Sequence, residues 1–139
     1  MPKPKQNPAK ALTATDVELF ERLHAQIEGL HSEMAGLVRK SPNDRLNKFK
    51  LGLVNQVLRR ANELLGVSYL PFADFTEFPD EDLPSNSDVM LILNQYLAAC
   101  ETFRTDHIVM DTGRWVWLID GAASEKRTAM PNKLAKKTR

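Results

Sequence analysis

One cysteine, Cys100, stands among 139 residues, which excludes an internal disulfide and suits a reducing compartment. Long hydrophobic runs are missing too. No unbroken apolar stretch is longer than the five residues of Val89 to Leu93, far short of the roughly 20 residues that cross a bilayer as a helix. Met1 is followed by Pro2 and Lys3 with no apolar segment behind them, so no secretory signal is read, and no Asn-x-Ser/Thr acceptor occurs. These absences together place the chain in the cytoplasm. Equally absent are a Gly-rich phosphate loop, a G-x-S-x-G elbow, an H-E-x-x-H helix and a paired-cysteine motif. The sequence therefore predicts neither enzyme activity nor a cofactor or metal.

Net charge is scarce as well, at +1, but the balance hides a division along the chain. Lys3, Lys5 and Lys10 give residues 1–13 a charge of +3, and residues 123–139 carry six bases against Glu125, hence +5. The body between them, residues 14–122, is left at −7. An acidic domain between two basic tails is predicted, with 1–13 and 123–139 too polar and too rich in Pro or Lys to hold structure. The middle is long enough to bury one core without metals or crosslinks.

What the sequence has in quantity is helical periodicity. Phe20, Leu23, Ile27, Leu30, Met34 and Leu37 recur at alternating spacings of 3 and 4, a heptad seam on a helix running to about Lys40 and capped by Thr15 or Asp16. Ala25, Gly29, Ser32 and Gly36 form a second stripe of small residues. Small surface residues are tolerated on any helix, but such a stripe also suits close approach of another helix, including one from a second copy of the chain. Ser41, Pro42 and Asp44 read as N-cap, N1 and N3 of a second helix, which Gly66 ends as a left-handed stop. Its two apolar stripes are Leu46, Phe49, Leu53, Val57 and Leu64, and Leu51, Val54, Leu58, Ala61 and Leu65. A polar strip through Lys48, Asn55, Arg59 and Asn62 or Glu63 remains between them. The short joint demands either a tight antiparallel hairpin or a sharp bend, and helices of about 25 residues, roughly 37 Å each, favour the hairpin. Ser87 caps a third, largely buried helix through Val89, Leu93, Tyr96, Cys100 and Phe103. Two β-branched and aromatic runs around Asp111-Thr112-Gly113 then read as a hairpin with a three-residue loop. The fold class is mainly α: a helical hairpin and a third buried helix in a small bundle, closed by a C-terminal β-hairpin.

Residues 67–86 break the periodicity. Phe72, Phe75 and Phe78 alternate there with Asp74, Glu77, Asp80, Glu81 and Asp82. Tyr69, Leu70, Phe72 and Phe75 suit plugging the core, while Phe78, Asp80, Glu81, Asp82 and Leu83 offer an acidic and apolar surface to a protein partner. On the first helix Glu21, His24, Glu28 and His31 share a flank. The i, i+3 pairs resemble the spacing of carboxylate-bridged metal bundles, but His24 and His31 stand about 10.5 Å apart along the axis, too far to share an ion. Solvated flank charges are the plainer reading. Two histidines at a partner-facing surface would also respond to pH near neutrality. Cys100 lies on an apolar face and reads as a buried thiol. Function is therefore expected in a non-enzymatic interaction module binding a protein through helix 1 (His24, His31) or the acidic arm. The alternative is a nucleic-acid-associated regulator, its basic tails gripping phosphates and its helix 2 polar strip meeting bases.

Overall fold

The computed structural model describes residues 11–132, so residues 1–10 and 133–139 of the two expected tails lie outside the described residues. In order come α1 (Ala14–Lys40), α2 (Lys48–Tyr69), α3 (Asn86–Asp106), β1 (Ile108–Asp111), β2 (Arg114–Ile119) and β3 (Ala122–Arg127). The mainly helical architecture with a C-terminal sheet is the one the periodicity predicts. Several boundaries differ, and the cap of α3 is Ser85, not Ser87: its Oγ accepts from the Asp88 amide at 3.2 Å.

α1 begins two or three residues earlier than its expected caps, Thr15 or Asp16, suggested. Thr13 Oγ1 accepts from the Asp16 amide at 3.1 Å while Asp16 Oδ2 accepts from the Thr13 amide at 3.0 Å, a capping box that satisfies two otherwise orphaned donors. The helix buries Val17, Phe20, Leu23, Ile27 and Met34. The heptad seam thus packs inside the protomer, chiefly against α3, where Phe20 stacks on Phe103 at 5.2 Å. Each large apolar side chain removed from water contributes roughly 1.5–3 kcal/mol.

α2 does not start at Ser41. The Ser41 amide donates to the Leu37 carbonyl and closes α1, and Asn47 caps α2 by accepting from the Lys50 amide at 2.8 Å. Between them the backbone is tied to the start of α3: the Leu46 amide donates to Pro84, and the Asn86 amide to Asp44. That long-range pairing outcompetes a local Ser-Pro helix start. At the far end Gly66, with φ 71° and ψ 176°, breaks the helix in a conformation open essentially to glycine. It is not the left-handed stop expected, and one further turn follows to Tyr69. Among the described residues no helix is long and apolar enough to cross a membrane.

The sheet has three antiparallel strands in the order β1-β2-β3. Asp111 pairs with Arg114, so the first loop has two residues, Thr112 and Gly113, not three. Both have positive φ, as do Asp120 and Gly121 in the second loop, the requirement of type I′ hairpin turns. The tail expected from residue 123 is corrected over this span: Ala122–Arg127 pairs with β2. One face of the sheet lies on the helices, with Trp117 fully buried and edge-on to Phe20 at 5.2 Å. Ahead of α1, Leu12 also packs on the core and accepts from the Asp120 amide.

Candidate functional site

The polar strip of α2 holds the arm that follows it. After Tyr69 the chain turns back along α2, and successive residues of the strip take hold of it. Asn62 Nδ2 donates to the Thr76 carbonyl at 2.9 Å, and Arg59 pairs with Glu77 at 3.1 Å. Asn55, only 3% exposed, grips Phe78 on both sides: its Nδ2 donates to the Phe78 carbonyl at 2.9 Å and its Oδ1 accepts from the Phe78 amide at 3.0 Å. Arg45 completes the series, meeting Asp82 at 3.3 Å and donating to the Leu83 carbonyl. Of Lys48, Asn55 and Arg59, which the sequence offered to base edges, Asn55 and Arg59 are thus engaged within the chain. Phe72, Phe75 and Phe78 stack edge to face in turn, at 6.1 and 5.1 Å between centroids. Phe78 is buried, a correction to its expected availability to a partner.

Where the arm ends, it leaves a cleft of about 510 Å³ against the start of α3. Phe75, Phe78, Leu83 and Ile92 supply apolar lining, and Leu91, 57% exposed, stands at the edge. The rim is acidic. Asp82 and Asp88 line it, and Asp80 and Glu81, just ahead of Asp82 in the chain, are exposed. Arg45 offsets Asp82 only, through a pair whose side chains are 65% and 80% exposed, and such a pair contributes little. The expected arm residues therefore divide: Phe78, Asp82 and Leu83 line one cleft, and Asp80 and Glu81 are exposed outside its lining.

The flank on α1 is a separate place. Glu21, His24 and Glu28 border a hollow of about 370 Å³ with Glu101, Arg104 and Trp117. Glu21 accepts from Trp117 Nε1 at 3.2 Å and pairs with Lys126 at 3.2 Å. His24 stacks on Phe20 at 5.8 Å, with Nδ1 3.8 Å from Glu28. His31 is half-buried, and its Nε2 is enclosed with no hydrogen-bond partner among the described residues. Nor do the described residues gather three or more His, Cys, Asp or Glu into a metal-holding group. The hollow is roofed by residues 128–132, a strap that sequence reasoning missed. Arg104 donates to Thr128 Oγ1 at 2.8 Å and to the carbonyls of Ala129 and Met130 at 2.7 and 3.2 Å. It also pairs with Glu101 at 2.9 Å, and Glu101 accepts from the Asn132 amide at 2.9 Å. This fork-shaped guanidinium pairing is the geometry arginine suits best.

Cys100 is 3% exposed. Burial pushes its thiol up to about 12, helped by the charges of Glu101 and Glu28, so the nucleophilic thiolate is scarce at neutral pH. Compared with known proteins, the chain matches no protein family, no curated protein and no solved structure.

Proposed function

We propose that this protein is a non-enzymatic interaction module whose arm cleft takes a short segment of a protein partner carrying both apolar and basic side chains. The observation that carries the reading is the juxtaposition of an apolar lining, with Leu91 left exposed at its edge, and the carboxylates of Asp82 and Asp88 in the same lining, with exposed Asp80 and Glu81 just ahead of Asp82 in the chain. An apolar anchor would enter beside Leu91 and Ile92 while Lys or Arg on either side meets the carboxylates. Such an arrangement draws affinity from the buried anchor and partner choice from the charges. The arm is suited to present the cleft because the hydrogen bonds of Asn55 and Asn62 fix its backbone beforehand, which lowers the ordering cost of binding.

Selection of a random peptide library on the full-length protein tests the reading. Recovered peptides should pair an apolar anchor with basic neighbours. Their binding should weaken about tenfold or more with Leu91→Glu or with the joint change Asp82→Lys, Asp88→Lys. Peptides of acidic or mixed character that bind these variants as well as the parent would overturn it.

A further inference from the structure

A second surface, on the opposite pairing of helices, carries an inference independent of the arm cleft. The sequence places Phe49 and Leu53 on an α2 stripe suited to packing, yet Phe49 is 75% and Leu53 44% exposed. They stand one turn apart on one side of the helix, next to a groove of about 460 Å³ between α1 and α2 with Leu30 and Val57 in its lining. Above Gly29, on the α1 side, an added methyl would meet no atom within 4 Å, so that wall is open to close approach.

The charges say what fits. Of the ionisable groups only Glu33 and Arg60 line the groove, which makes it neutral on an otherwise acidic body. Because α1 and α2 form a hairpin, Glu33 lies toward the Leu53 end and Arg60 toward the Gln26 end. A twofold axis across the groove carries the Glu33 end of one protomer onto the Arg60 end of another, and the reverse. We infer that the α1–α2 face pairs with a second copy of this chain, each Phe49–Leu53 ridge covered by the other protomer and each Glu33 facing the partner's Arg60. This is the isologous arrangement in which every contact occurs twice.

Sedimentation equilibrium of the full chain should give twice the 15.7 kDa protomer mass at micromolar concentration. Phe49→Glu should weaken the dimer about 100-fold or more with an unchanged far-UV spectrum, since the side chain is exposed in the protomer. Glu33→Arg and Arg60→Glu should each weaken self-association about tenfold. Mixed together, those two variants should recover the dimer mass as a heterodimer. A monomer at all concentrations overturns the inference, and so does a dimer indifferent to Phe49→Glu. Failure of the mixed variants to recover the mass rejects the twofold pairing.

Discussion

At the Tyr69 hydroxyl, burial and a 2.7 Å hydrogen bond to Asp106 both oppose ionisation, and the nearby carboxylate charge adds to them. The hydroxyl is pushed up from 10.0 to about 12, and the Cys100 thiol from 9.0 to about 12. Both folded values lie above the unfolded ones, so the unfolded chain releases these protons first as pH rises. The stability attached to them is complete below about pH 9 and declines between pH 9 and 12. Urea midpoints taken across that range should fall less steeply for the joint variant Tyr69→Phe, Cys100→Ala than for the parent. Identical slopes would show that neither group carries the dependence. Cys100 was legible from sequence as a buried thiol because the helical period placed it among apolar neighbours. Tyr69 was legible only as an anchor, since Asp106 is 37 residues away and no local pattern joins them.

Among the elements, the arm depends most on one contact. Asn55 supplies both the donor and the acceptor for the Phe78 backbone inside the core. Asn55→Ala would leave a buried amide and a buried carbonyl without partners. It should cost about 2–4 kcal/mol, with faster amide exchange at Phe78 than in α1; a loss under about 0.5 kcal/mol would mean that water replaces the side chain. The periodicity of α2 disclosed a polar strip but could not say that the next segment would fold back onto it. For the same reason it disclosed two apolar stripes without telling which would face out at Phe49. Ser41-Pro42 was a sound local helix start overruled by backbone pairing of residues 44–46 with 84–86, a contact across 40 residues. β3 differs, because its signal was present. Asp120-Gly121 is a strong two-residue hairpin cue, but Ala-Ala-Ser-Glu-Lys-Arg has no β-branched or aromatic residue to mark a strand. Pairing with β2, not intrinsic preference, makes it one.

Across the whole molecule, one core joins residues from all three helices and the sheet, with Trp117 set between strand and helix against Phe20. Helix and sheet should therefore melt together. Tryptophan fluorescence and the far-UV helical signal are expected to give the same urea midpoint, and separated transitions would show that the sheet folds independently. The fastening of the strap by Arg104 and Glu101 has a consequence at this scale too. Asn132 is held at Glu101, and Leu12 at Asp120, so both terminal segments depart from the end of the bundle where the sheet lies. The acidic arm meets the start of α3 near Asp88, about 20 Å away along that helix. Asp82 and Asp88 therefore hold like charge at the end of α3 away from the strap. A charged body at a distance feels those carboxylates before any contact forms, and a polycation is drawn first toward the arm.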